Sequence, residues 1–196
     1  MKTLLLTSEG PSADLISWLT DVEGDEVITQ LDKITPEHVD QVKPDFMVSY
    51  NYRYIIKEEV LNLLPDRAIN MHISLLPWNR GADPNFWSIV EGSPKGVTIH
   101  RLDKGVDTGE ILVQTEVEFD FSKETLTSSY LLLHQEIQKL FKENWSRIKS
   151  NSVQSVPQSH TGSTHLHQEF LEIQHILGEE GWDIPVPLLI ERCKDL

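Results

Sequence analysis

The sequence predicts an α/β fold: a mostly parallel sheet with helices on both faces, an antiparallel hairpin and a small C-terminal appendage. Three observations carry that prediction. Short apolar runs alternate with segments of helical spacing from residue 2 to residue 72, the pattern of strands and helices that build a parallel sheet. Two alternating segments, residues 96–102 and 110–117, are joined by a short glycine-bounded link that suits a hairpin. One long amphipathic stretch, residues 123–149, then gives way to a segment rich in Ser, Gln, Asn and Thr.

Taken in order, residues 2–7 (KTLLLT) form a continuous apolar run, as expected of a strand covered on both faces. Glu9-Gly10-Pro11-Ser12 makes a turn, and Ser12 caps a helix to about residue 20 that buries Leu15, Ile16 and Leu19. A second strand covers 26–31, a polar stretch opened by the cap-like pair Thr35-Pro36 covers 35–41, and a third strand covers 45–50. Residues 55–64 place Ile55, Ile56, Val60, Leu61 and Leu64 at helical spacing and stop at Pro65. Residues 68–72 (AINMH) form a fourth strand, 74–83 a loop, and 84–91 a helix with Pro84 in its first turn. Within 123–149 the buried stripe is Leu126, Tyr130, Leu133, Ile137, Leu140 and Phe141. The shift of composition at residue 150 divides the chain into a main domain, 1–149, and a linker with appendage, 150–196.

The composition narrows the function classes. A net charge of −14 and only 17 Lys and Arg argue against nucleic acid as a partner, because neutralising phosphates needs clustered cations. The apolar run at residues 4–6 is too short for a signal peptide, and no window approaches a membrane span. A single cysteine, Cys193, excludes a disulfide framework and a cysteine-based metal site, so a reducing cytoplasm is the expected location.

Asn70 and His72 stand two apart on the fourth strand, which puts both side chains on one face, and ligands bind beyond the carboxyl ends of strands in such sheets. An Asn amide can donate to an oxyanion, and an imidazole can carry a proton near neutral pH. Asp107 lies in the loop Gly105-Val106-Asp107-Thr108-Gly109, where flanking glycines permit backbone angles that aim a carboxylate inward. A carboxylate beside His72 would favour its charged form and fix its orientation. His160, His165, His167 and His175 contain a His-x-His spacing, but no cysteine or paired carboxylate completes a metal site, so a surface or rim role is expected.

Several blocks in order then carry a resemblance. They are residues 69–81 (INMHISLLPWNRG), 84–87 (PNFW), 96–100 (GVTIH) and 105–111 (GVDTGEI). Together, over roughly residues 45–118, they resemble the folate-dependent formyltransferases. The resemblance implies a Rossmann-like fold, 10-formyltetrahydrofolate as formyl donor, no metal, and an Asn-His-Asp triad at Asn70, His72 and Asp107. It also implies a pterin pocket lined by Tyr50, Tyr52, Tyr54, Ile55, Asp103, Gly105 and Val106.

Within that family, residues 77–81 with 84–87 look most similar to the amino-sugar enzymes and the peptide-synthetase formylation domains. The purine branch carries a Gly-Ser-Asn phosphate loop after its first strand, where this chain has Glu9, and a carboxylate there suits a phosphate poorly. The tRNA branch adds a basic C-terminal barrel, which this acidic chain leaves no room for. A nucleotide-linked amino sugar is therefore the expected acceptor, with Ser74, Trp78, Asn79, Arg80, Asn85 and Trp87 as its candidate contacts. Arg80 either pairs with a diphosphate or is a solvated loop cation; the aromatics either pack on a sugar or base or belong to the core. Glycinamide ribonucleotide, aminoacyl and peptide-synthetase amines remain alternative acceptors, and a non-catalytic folate-binding scaffold is the alternative class. The edge near residues 110–119 could pair two copies into a homodimer.

Overall fold

A computed structural model describes residues 1–8, 12–159 and 161–195 of the chain. The turn expected at residues 9–11, with Glu9, and the histidine at 160 lie outside the described residues.

In chain order the elements are β1 (Lys2–Thr7), α1 (Ala13–Asp21), β2 (Glu26–Gln30), α2 (Pro36–Val42), β3 (Phe46–Tyr50), α3 (Glu58–Leu61) and β4 (Ala68–His72). They continue as β5 (Arg80–Gly81), α4 (Pro84–Val90), β6 (Gly96–Arg101), β7 (Ile111–Glu116), α5 (Leu126–Lys149), β8 (Thr164–His165), α6 (His167–Ile173) and α7 (Val186–Arg192). Six strands form one sheet in the order β2-β1-β3-β4-β6-β7. β1 pairs in parallel with β2 and β3, and β3 with β4. The hairpin strand β6 runs the other way. The Leu102 amide meets the Ala68 carbonyl at 3.0 Å, Arg101 meets Glu110 at 2.9 Å, and Val117 meets Lys95 at 3.0 Å, a register only antiparallel pairs give. The mixed, mostly parallel α/β sheet agrees with the sequence expectation.

The chain divides into two compact units. The first comprises Met1–His72, Ile99–Val113 and Phe141–Pro157. Its strand alternation sends Leu4, Leu6, Met47 and Ala68 into a cluster with Val39, Val60 and Leu64. Trp145, fully buried, meets Phe46 edge-on at 5.1 Å and stacks on Phe141 at 4.9 Å. Three local features differ from the sequence reading. The polar stretch after Thr35 is a helix, because the Thr35 hydroxyl accepts the His38 amide at 3.3 Å. Ser12 stands at the start of α1 with helical backbone angles, so its hydroxyl makes no cap bond. The helix expected over 55–64 shrinks to Glu58–Leu61, with Ile55 left 72% exposed.

The second unit comprises Ile73–Thr98, Gln114–Leu140 and Gln158–Leu196. Its core joins Phe86 and Ile89 of α4 and Leu126 of α5 to Phe170, Ile176, Leu177, Ile184, Val186 and Leu189. The segment expected to be a plain loop contains β5, which pairs in parallel with β8: Arg80 with Thr164 and Gly81 with His165. α5 starts at Leu126 because Thr125 and Ser128 cap each other, the Ser128 amide to the Thr125 hydroxyl at 3.0 Å and the Thr125 amide to the Ser128 hydroxyl at 2.8 Å. Of the expected stripe, Leu126, Leu133, Ile137 and Leu140 are buried, as is Phe141 in the first unit, whereas Tyr130 is only half-buried.

The start of edge strand β7 is occupied by the chain itself, since Ile111 and Val156 exchange two backbone bonds of 2.8 Å. Among the described residues, no helix is long and apolar enough to cross a membrane.

Candidate active site

β4 delivers Asn70 and His72 to one face of the sheet, and the loop after β6 returns Asp107 to them, all within the first unit. The Asn70 amide nitrogen donates to Asp107 Oδ1 at 3.0 Å. His72 Nδ1 lies 3.6 Å from Asp107 Oδ2, an ion-pair distance rather than a direct hydrogen bond. Both side chains are largely shielded from water, which strengthens a charge interaction between them.

A fourth residue completes the cluster. His100, 1% exposed at the end of β6, has Nε2 3.3 Å from Asp107 Oδ1 and 3.3 Å from the Asn70 amide nitrogen. Its Nδ1 lies 2.7 Å from the Arg101 carbonyl, which can only accept, so Nδ1 carries a proton. The His72 and His100 rings meet edge-on at 6.3 Å. His100 was not among the residues expected at the site. The available signal was its place two residues beyond Thr98 on a strand that leads into the Asp107 loop.

The loop reaches its shape differently from the sequence reading. The left-handed backbone belongs to Asp107 itself, with φ of 51°, and not to Gly105 or Gly109. The glycines serve close approach: a Cβ on Gly105 would lie 2.0 Å from Thr108 Oγ1, and one on Gly109 would lie 1.9 Å from the Arg101 carbonyl oxygen. Asp103 ties the loop, since its Oδ1 accepts from the Gly105 amide at 3.0 Å and the Thr108 hydroxyl at 2.7 Å.

Of the other residues expected on the donor side, Tyr50 is fully buried in β3. Tyr52 sits with its hydroxyl donating to the Asp32 carbonyl at 2.7 Å and accepting the Ile34 amide at 2.8 Å, and burial raises its pKa. Its ring meets Tyr54 at 5.4 Å. Ile55 and Val106 are apolar and exposed, at 72% and 40%.

The residues expected to touch the acceptor lie in the second unit, and most have protein partners. Ser74 donates to the Trp78 carbonyl at 2.8 Å. Asn79, fully buried with φ of 55°, donates to Glu91 at 3.0 Å and accepts from Ser93 at 2.8 Å. Arg80 grips the Gln158 side-chain oxygen through Nε at 3.0 Å and Nη2 at 2.8 Å, so it is not a loose surface cation. Trp87 stacks on His165 at 4.0 Å, and His165 Nε2 pairs with Glu91 at 2.8 Å. His167 pairs with Asp83 at 2.8 Å, and His175 is exposed. Among the described residues, no group of His, Cys, Asp and Glu could hold a metal ion.

Known proteins share this fold. The formyl transferase family model matches residues 24–144. The formyltransferase PseJ from Anoxybacillus kamchatkensis, solved with UDP-4,6-dideoxy-4-formamido-L-AltNAc and tetrahydrofolate, is 42% identical. That likeness covers 98% of this chain and 100% of PseJ, with a TM-score of 0.89. A sugar N-formyltransferase from Shewanella has the same fold, at 21% identity and a TM-score of 0.81 over 98% of this chain and 87% of that one. A methionyl-tRNA formyltransferase from Acetivibrio thermocellus is 34% identical over 137 residues, which are 67% of this chain and 43% of that protein. The chain thus spans less than half the length of that relative. With the family model matched over more than half of its length, the chain belongs to the formyl transferase family.

Proposed function

We propose that this chain transfers a formyl group from 10-formyltetrahydrofolate to the primary amine of a nucleotide-linked amino sugar. The observation that carries the reading is the meeting of Asn70, His72 and Asp107 around one point, in a chain that is similar over 98% of its length to a formyltransferase solved with a UDP-linked formamido sugar and tetrahydrofolate. The catalytic part is residues 1–149, with 150–196 as its appendage.

In this reading the amine attacks the formyl carbon. Asn70 has one N–H on Asp107, and the other, in a long contact with His100, turns to the oxyanion that forms. His72 takes the proton released by the amine and returns it to the departing nitrogen of the carrier, so the proton count closes and a formamide and tetrahydrofolate leave. Asp107 orients His72 through Nδ1 and offsets its positive charge while it holds the proton. Ile55 and Val106 offer exposed apolar surface that suits a flat pterin ring, which is the fit the donor requires. Arg80 is the cation we assign to the diphosphate.

The test is release of tetrahydrofolate from 10-formyltetrahydrofolate in the presence of UDP-4-amino-4,6-dideoxy-L-AltNAc, a second nucleotide amino sugar, glycinamide ribonucleotide and an aminoacyl amine. Turnover confined to the nucleotide sugars supports the reading. Turnover with another amine alone reassigns the acceptor, and none with any amine favours a folate-binding scaffold.

A further inference from the structure

A cavity of about 460 Å³ lies wholly within the second unit. Its polar wall is Asp83, Asn85, Thr127 and Tyr130, and Phe86 and Trp182 add aromatic surface. Among the described residues, no Lys, Arg or His lines it.

The polar wall is rich in acceptors. Asn85, 5% exposed, directs its amide nitrogen to the Leu126 carbonyl at 3.1 Å and the Ser129 hydroxyl at 3.0 Å, so the group it offers is its carbonyl oxygen. The Thr127 hydroxyl donates to the Trp182 carbonyl at 2.9 Å and offers lone pairs. Asp83 accepts from His167 through Oδ2 and retains acceptor capacity on its other oxygen. Tyr130 supplies a hydroxyl donor, and burial, then the nearby Asp83 carboxylate, raise its pKa.

Such a wall selects by hydrogen-bond sense. A diphosphate brings only acceptors and negative charge, and would meet the Asp83 carboxylate, whose neighbour His167 already spends its Nδ1 on Oδ2. A pyrimidine base brings two carbonyl acceptors and one N–H. A hexosamine brings several hydroxyl and amide donors, together with methyl groups and ring C–H faces that suit the half-exposed Trp182. We propose that this cavity binds the sugar ring of the acceptor, with Asp83, Asn85 and Thr127 receiving its hydroxyl and amide protons. The inference rests on the amino-sugar reading and extends it to the residues that discriminate the sugar.

The test titrates the full chain with UDP-4-amino-4,6-dideoxy-L-AltNAc and with UDP, each against wild type, Asp83→Asn and Tyr130→Phe. Asn tolerates the left-handed backbone of Asp83, and melting curves confirm that both variants fold. The expected result is a rise of roughly 10-fold in the dissociation constant of the sugar nucleotide in each variant, the scale of one lost hydrogen bond to a charged or buried group, with UDP unchanged. Equal weakening of both ligands would place the uridine diphosphate end in the cavity and overturn the proposal, as would no change in either. Tetrahydrofolate release is measured in parallel. Normal turnover with unchanged sugar binding in the variants defeats the cavity assignment alone, whereas a selective loss of sugar binding without turnover in wild type defeats formyl transfer alone.

Discussion

The Asn70 amide nitrogen and Asp107 Oδ1 meet at 3.0 Å, joining the end of a parallel strand to a left-handed residue 37 positions later in the chain. The carboxylate therefore takes its position from the loop, and changes that move the loop without touching a reacting group must reach the chemistry. Such changes separate geometry from residue identity.

Gly109→Ala places a Cβ 1.9 Å from a backbone oxygen, whereas Gly105→Ala places one 2.0 Å from the Thr108 hydroxyl, which can rotate. Gly109→Ala is expected to lower kcat by roughly 100-fold, in line with misplacement of a catalytic group by about an ångström. Gly105→Ala should lose less, and Thr108→Ala should recover part of that loss in Gly105→Ala but none in Gly109→Ala. Steady-state kinetics on the four variants decide this, and equal losses without rescue would refute it.

His100→Phe keeps a buried ring and removes the nitrogen that faces Asp107 Oδ1 at 3.3 Å. The expected outcome is a fall in kcat of roughly 10- to 100-fold, with both Michaelis constants within about twofold, because the residue positions Asp107 rather than touching substrate. A rise in either Michaelis constant with kcat preserved would assign His100 to binding instead.

Gly81→Ala tests how β8 is held. Gly81 has φ of 87°, and a Cβ there would lie 2.2 Å from the His165 carbonyl oxygen that faces it across the β5–β8 pair. Strained backbone and a lost strand pair together predict destabilisation of about 2–4 kcal/mol, read as a lower urea midpoint. An unchanged midpoint would mean that the pair contributes little.

His134 sets an acid limit on stability. It is 4% exposed, and burial pushes its pKa down from 6.5 to about 4. Between those values the unfolded chain binds a proton that the fold does not, so stability is complete above about pH 6.5 and falls as the pH drops toward 4. The loss attributable to this residue reaches about 3 kcal/mol. His134→Phe should therefore show a smaller drop in melting temperature between pH 7 and pH 4.5 than wild type; parallel curves would contradict the assignment.

Much of this was legible in the sequence where the cause is local. The strand Ala68–His72 has the predicted bounds because AINMH is an apolar run stopped by turn residues, and its period of two places Asn70 and His72 together. The position of Asp107 was legible from its motif, but the physical reason was not: a glycine-bounded loop looks like a need for unusual backbone angles, and the space around each missing Cβ is visible only in three dimensions. The role of His100 is hidden from the sequence for a related cause, since its partners stand 30 residues before it and seven after. The pairing of Arg80 with Thr164 spans 84 residues and two residues per strand, too short for any hydrophobic period to announce. The helix expected over 55–64 failed on Ile55, whose apolar side chain faces outward.

The most direct test of the central claim is the single-turnover rate of formyl transfer from 10-formyltetrahydrofolate to UDP-4-amino-4,6-dideoxy-L-AltNAc for wild type, His72→Ala and Asp107→Asn, with folate binding measured on the same samples. The account predicts transfer by wild type and a fall of at least about 100-fold in each variant, with folate affinity changed by less than about threefold. Transfer by either variant at the wild-type rate, or none by the wild-type chain, would contradict it.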